Sequence, residues 1–168
     1  FKSILNKTRI SRLRWHDLRS IQPISRIFGW DRGTPIDRFY IEKFLRENRN
    51  HIRGKVLEIA ESKYSREFGT EVTSYEILHM EERNHVTIVG DLTNPGTLPE
   101  NAIDCFICTQ VLNFIFDFHK AIEGAYYLLK PGGVILATVG GISQVSTYDS
   151  ERWGHFWSFY PQGIERAF

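Results

Sequence analysis

The sequence predicts an α/β fold, a three-layer α/β/α sandwich whose mainly parallel sheet is covered by helices on both faces. Three observations carry this. Five short runs rich in branched apolar residues recur, at 55–60, 71–78, 85–91, 102–109 and 134–139. They read as near-continuous apolar strands rather than alternating ones, the pattern of a sheet buried on both sides. Connecting segments separate them, at least one of them a clear amphipathic helix. The 168 residues, 42% hydrophobic and 24% charged, suit one domain with a real core.

In chain order, residues 1–33 read as an extension punctuated by Pro23, Gly29 and Gly33, and residues 34–168 as the folded domain. The extension is basic: Lys2, Lys7, Arg9, Arg12, Arg14, Arg19 and Arg26 stand against Asp17 alone. Such an arm is available to an acidic partner surface, another domain, an anionic lipid or nucleic acid. A solvated helix face is the plainer reading. Thr34 as N-cap and Pro35 in the first turn open a helix with Ile36, Phe39, Tyr40 and Phe44 on one face. A second helix is expected over 116–130, burying Phe118, Ala121, Ile122, Ala125, Leu128 and Leu129, with Pro131-Gly132-Gly133 as its stop. Residues 140–168 show no regular pattern beyond a helix from Pro161.

No apolar run approaches the roughly 20 residues that span a bilayer, and no apolar stretch follows the basic N-terminus as in a secretory signal. The chain begins at Phe1 rather than Met and reads as a fragment or a processed piece. Cys105 and Cys108 lie three apart in one strand, so their side chains point to opposite faces. They read as small core residues of a reducing compartment, so a cytoplasmic protein is expected, and no metal site is expected.

Val56-Leu57-Glu58-Ile59, Glu76 at the end of the second strand, Gly90-Asp91-Leu92, Leu98-Pro99, Ile103-Asp104 and Leu129-Lys130-Pro131-Gly132-Gly133 follow one another in an order that resembles the class I (Rossmann-like) methyltransferases, in particular their small-molecule branch. The resemblance covers about half the chain. It implies S-adenosyl-L-methionine as cofactor, bound beyond the carboxyl ends of the strands. Glu58 and Ala60 then belong to the first cofactor loop. Glu76, with Ile77 beside it, takes the ribose hydroxyls, Asp91 the adenine amino group, and Leu92 packs on the ring. Thr109, Gln110 and Val111 line the methionine end, and Arg38 and Tyr40 reach it from the preceding helix.

Two departures stand out. The glycine-rich loop after the first strand is eroded: from Ala60 to Gly69 the only glycine is Gly69. The ten-residue gap there is short for a full crossover helix, and nothing after Gly141 reads as the family's last two strands. Thr109-Gln110-Val111-Leu112-Asn113 replaces the Pro-rich run of nucleic-acid amino methylases, which argues against a nucleic-acid acceptor. The expected acceptor is a small molecule or a glycan, methylated on oxygen or nitrogen. His155, among Trp153, Phe156 and Trp157, is the candidate base, and Asn113 a candidate for the acceptor side. An inactive Rossmann-like binding or scaffold domain is the alternative. A nicotinamide-dependent oxidoreductase lacks its Gly-x-Gly-x-x-Gly.

Overall fold

The computed structural model describes residues 29–168 together with Ile21, Gln22 and Ser25. The expectations placed on the basic arm lie outside the described residues. Contacts divide the chain into two units, Phe1–Arg38 and Phe39–Phe168, whereas the composition suggested a break at 33/34. In the first unit, Ser25 Oγ accepts the Gly29 amide at 2.8 Å and donates to Asp31 at 2.6 Å, ahead of a 3₁₀ turn at Trp30–Arg32.

Helix α1 spans Ile36–Glu47 and begins just after Pro35, which therefore precedes the helix instead of opening its first turn. Ile41 and Leu45, four apart, make its buried stripe. The chain then enters a sheet of five strands, β1 (Arg53–Ile59), β2 (Glu71–His79), β3 (Ile88–Val89), β4 (Ile103–Thr109) and β5 (Leu129–Thr138), in the order β3-β2-β1-β4-β5. All four pairings are parallel, and among the described residues no antiparallel strand follows β5.

Alternation along the central strands sorts the core into two layers. Leu57, Phe106 and Cys108 face Ala121, Ile122, Ala125 and Leu128 of α3 (Phe118–Leu128). Val56, Cys105 and Ile107 face Ile41 and Leu45 of α1 and Tyr64 and Phe68 of α2 (Lys63–Phe68). The two cysteines are thus free thiols in opposite layers, and burial pushes both up to about 12.

Four local features differ from the expectations. The short gap after β1 does hold a helix, the six residues of α2. β3 shrinks to two residues: Thr87 donates its amide to Ile77 O at 3.1 Å but accepts the Ile77 amide with its hydroxyl, at 2.8 Å, and Val86 turns back on Arg83. The Pro131-Gly132-Gly133 turn is no boundary between helix and strand. β5 starts at Leu129, and the turn is an excursion within it, since Leu129 pairs Ile103 and Val134 pairs Cys105. Lys130 anchors that excursion with two bonds to Asp104, at 2.8 and 2.9 Å. Past β5, the unpatterned region holds α4 (Thr147–Trp153) as well as the expected α5 (Pro161–Glu165). No helix among the described residues is long and apolar enough to cross a membrane.

Candidate functional site

The strand order reverses between β1 and β4, the point at which open α/β sheets form a crevice beyond their carboxyl ends. The residues that leave these two strands share a property. Ala60, just after β1, has φ 67°, and Gln110, just after β4, has φ 56°. Both hold the left-handed backbone that favours glycine, at a cost that surrounding structure must sustain. Ala60 donates its amide to Leu78 O at 3.1 Å, and Gln110 donates to Thr138 O at 2.8 Å. Ala60 is exposed. The left-handed backbone is kept although the residue is not a glycine.

Glu58, Thr109 and Thr138 follow the alternation onto the α1/α2 face of the sheet near this rim, with Thr109 and Thr138 paired across β4 and β5. Glu58 is 3% exposed. Its carboxylate accepts the Tyr64 amide at 3.0 Å and the Ser65 amide at 2.7 Å, and the Ser65 hydroxyl as well. The first turn of α2 is therefore capped by a side chain from the strand before it, which satisfies amides that a six-residue helix would otherwise leave open. Burial pushes the Glu58 carboxyl up, against the pull of these bonds. Thr138 Oγ1 is buried and has no hydrogen-bond partner.

Glu76 is not at the end of β2. The strand continues to His79, and Glu76 sits level with Leu57, inside the sheet. Its carboxylate accepts Ser74 Oγ at 2.6 Å and pairs with Lys55 Nζ at 3.5 Å. Partial burial pushes it up, but the bonds from Ser74 and Thr87 and the charge of Lys55 outweigh this and hold it below the usual carboxylate range. Ile77, the next residue, is buried opposite Glu58. The rim beyond β2 is instead formed by His79, whose Nδ1 accepts the Glu81 amide at 2.9 Å, and by the following loop. From that loop His85 Nε2 lies 3.1 Å from Ala60 O.

Beyond β3, Asp91 closes a tight turn. Its amide donates to Thr97 Oγ1 at 2.9 Å and its Oδ1 accepts the Thr93 amide at 2.8 Å. Its second carboxylate oxygen has no partner among the described residues. Leu92 is 5% exposed and packed in the α3-side core, so its side chain is not presented at the rim. The turn is seated by Gly124 of α3, where a Cβ would lie 2.0 Å from Leu92 O. Val111 likewise packs on that core. Tyr40, on α1, is exposed and meets Phe39 edge-on at 5.4 Å. Arg38 is half-buried and is the last residue of the unit Phe1–Arg38.

The second half of the rim is covered by an aromatic strap, residues 154–159. Phe156 and Trp157 donate their amides to Asn113 O at 2.9 and 3.3 Å, and Phe159 donates to Gly140 O at 3.0 Å. Trp157 Nε1 reaches Ile115 O and Phe116 O at 3.1 and 3.0 Å. His155 meets Phe114 edge-on at 5.2 Å, and its Nδ1 is buried without a hydrogen-bond partner. Sequence reasoning missed the capping of α2 by Glu58, seven residues before Ser65, and also the contact of His85 with Ala60 and the anchoring by Trp157, which join residues far apart in the chain. Only Gly124, an isolated glycine inside a helical pattern, carried a local signal.

A parallel sheet with this order, a reversal crevice lined by left-handed backbone and an acidic turn beyond β3 define a nucleotide-type cofactor fold of the Rossmann-like class. Residues 52–137, just over half of the chain, match the family described as methyltransferase domain. A SAM-dependent methyltransferase from Archaeoglobus fulgidus superposes with a TM-score of 0.55 at 14% identity, over 83% of this chain and 69% of that one. The N-methyltransferase NodS from Bradyrhizobium japonicum WM9, solved with S-adenosyl-L-homocysteine, gives 0.55 at 16%, over 83% and 77%. The [4+2]-cyclase SpnF gives 0.52 at 17%, over 79% and 56%. No curated protein matches the sequence. The chain belongs to the methyltransferase domain family, in the class I, S-adenosylmethionine-dependent group, and S-adenosylmethionine is its cofactor.

Proposed function

We propose that this chain transfers a methyl group from S-adenosylmethionine to an oxygen or nitrogen of a small-molecule or sugar acceptor, as in the small-molecule branch of the family. The observation that carries the reading is the pair of left-handed residues, Ala60 and Gln110, one on each side of the reversal point. Left-handed backbone at these two exits is the conformation by which a chain can approach a bulky nucleoside closely. The buried, unpartnered Thr138 hydroxyl on the same rim is the kind of atom that a polar ligand group completes.

The bound cofactor supplies a methyl carbon already activated by a sulfonium, so the protein's task is alignment and exclusion of water. Asp91 would accept from the adenine amino group with its free oxygen, and the turn held by Thr97 and Gly124 keeps that oxygen in place. Thr109 and Gln110, with Val111 behind them, would flank the methionine end, and Tyr40 would approach from the α1 side. Glu58 would act through α2, fixing the loop that carries Ala60. Glu76 reaches a ribose only by releasing Lys55 and Ser74, so Asp91 carries more of the reading. His155 would take the acceptor proton at its buried Nδ1.

Titration calorimetry with S-adenosylhomocysteine tests this. Saturable heat in the micromolar range that weakens in Asp91→Ala supports the reading. A second reading, a scaffold without transfer, is favoured by one observation: the Glu58 and Glu76 carboxylates are both engaged inside the protein. Absence of heat at about millimolar ligand, the −4 kcal/mol scale, decides for it.

A further inference from the structure

We infer that Asn113 is a positioning residue, an amide clamp that seats the aromatic strap across the exits of β4 and β5 and thereby holds His155 on the acceptor side. The functional half of this rests on the reading of His155 as the base. The clamp itself stands on geometry alone.

Asn113 is 2% exposed and lies in a 3₁₀ turn between β4 and α3. All its polar groups that the structure engages go to two distant segments. Nδ2 donates to Gly140 O at 3.0 Å and to Trp157 O at 2.7 Å, while Oδ1 accepts the Gly140 amide at 3.0 Å. Its backbone carbonyl accepts the amides of Phe156 and Trp157. One residue thus ties the β5 exit to the strap, and both to the β4 exit. His155 is bracketed by Gly154 and Phe156, immediately beside the tied amides, so its seat on Phe114 follows from the clamp. The ring contacts of Trp157 and Phe159 with Phe118, at 5.4 and 5.1 Å, add area but no direction.

The clamp needs a donor at one end of the amide and an acceptor at the other. A carboxylate there would turn an oxygen toward two carbonyl oxygens. Asn113→Asp therefore converts the clamp into a pH-dependent and weaker one, because only the protonated acid can donate, and its single O–H replaces one of the two amide donations. The titratable groups on the packed elements are Asp117, which precedes α3, His119, Lys120, Glu123, Tyr126 and Tyr127 of α3, and His155 of the strap. Lys120 pairs with Asp117, and none of these groups bonds the Asn113 amide.

The test reads hydrogen exchange at the Phe159 amide, relative to the wild type at the same pH, and the imidazole signals of His155. In Asn113→Asp near pH 8, Phe159 protection should fall roughly tenfold or more, and the His155 ring should lose its displacement by Phe114. Near pH 4, Phe159 protection should rise again by several-fold, short of the wild type because one donation is still missing. A merely structural asparagine would weaken protection equally at both pH values. Trp157→Phe removes the indole bonds but leaves the clamp, so it should keep Phe159 protected. Equal loss in Trp157→Phe, or unchanged Phe159 and His155 signals in Asn113→Asp, overturns the clamp. Should Asn113→Asp not fold near pH 8, Asn113→Ala is expected to give the same loss without the return, and full protection in it also overturns the clamp. Calorimetry of the wild type with S-adenosylhomocysteine is read separately. Its failure would remove the methyl-transfer reading and leave the exchange result to judge Asn113.

Discussion

Replacing Ala60 by glycine puts the eroded cofactor loop to a quantitative test. At φ 67°, Ala60 occupies the left-handed region, where an L-residue pays about 1–2 kcal/mol for the closeness of Cβ to the carbonyl oxygen. Glycine removes that strain but loses more chain freedom on folding, at about 0.5–1 kcal/mol. The Ala60 side chain is exposed, so little burial is forfeited. The balance is a stabilisation of about 0.5–1 kcal/mol. Urea unfolding followed by circular dichroism should show it as a higher midpoint with an unchanged slope. Ala60→Val, which forces a β-branched residue into the same backbone, should move the midpoint the other way by more than about 1 kcal/mol. Affinity for S-adenosylhomocysteine should hold or rise in the glycine variant, since no Cβ then stands at the loop. A glycine variant destabilised by more than about 0.5 kcal/mol would refute the reasoning, because it would mean that residue 60 is not left-handed and that the crevice is not formed as described.

Asp91→Ala should weaken S-adenosylhomocysteine binding by about 1–3 kcal/mol, read by calorimetry, while Glu76→Ala should lower the unfolding midpoint more than the affinity, since its partners are Lys55 and Ser74. Gly124→Ala places a Cβ 2.0 Å from Leu92 O and should displace the Asp91 turn; the expected cost is about 1–3 kcal/mol of stability, together with loss of cofactor affinity. The bonds from Lys130 and from the Lys55 amide hold the Asp104 carboxyl below its ordinary 3.8. Its contribution is therefore full above that value and lost as the pH falls below it, so Asp104→Asn should flatten the acid limb of a stability-against-pH curve. Glu58, pushed above 4.5 by burial, runs the opposite way: its contribution is greatest below 4.5 and declines as the pH rises through its raised value. Glu58→Gln should therefore remove that decline, so that the variant's stability falls less than the wild type's as the pH rises above 4.5.

The parts of the fold that were legible are those that a few neighbouring residues decide. The apolar runs of β1 and β4 and the face of α3 from Phe118 to Leu128 lie where periodicity puts them, and the five-stranded parallel α/β sheet follows. What was not legible depends on partners far along the chain. Val86 and Thr87 have strand-forming side chains, yet Thr87 spends its hydroxyl on Ile77 and the strand shortens to Ile88–Val89. Pro131-Gly132-Gly133 reads as a stop, but Lys130 is held by Asp104 and the sheet resumes across the turn. At the site, Asp91 and the exits of β1 and β4 were locatable from order along the chain. That Glu76 would be drawn into the sheet by Lys55 depends on a register between β1 and β2 that no single strand reveals. Asn113 is a polar residue at an ordinary turn until Gly140 and Trp157 are brought to it.

The eroded loop and the buried Glu58 are two sides of one arrangement. A glycine-rich loop bends because its backbone is free to, and the amides at the start of the next helix are then left to the ligand. Here α2 is only six residues long, and three residues separate it from the end of the strand. A helix that short cannot hold itself. Glu58 holds it by taking the Tyr64 and Ser65 amides with a carboxylate, and the strain of Ala60 is sustained by that fixed helix on one side and by Leu78 and His85 on the other. The amides a cofactor carboxylate would meet at a conventional loop are thus already satisfied. On the proposed function, the crevice would offer instead the backbone of Ala60 and Gln110, the Asp91 carboxylate and the rim threonines, so recognition would shift from the methionine tail toward the adenosine, with Asp91 bearing more of it than any residue of the first loop.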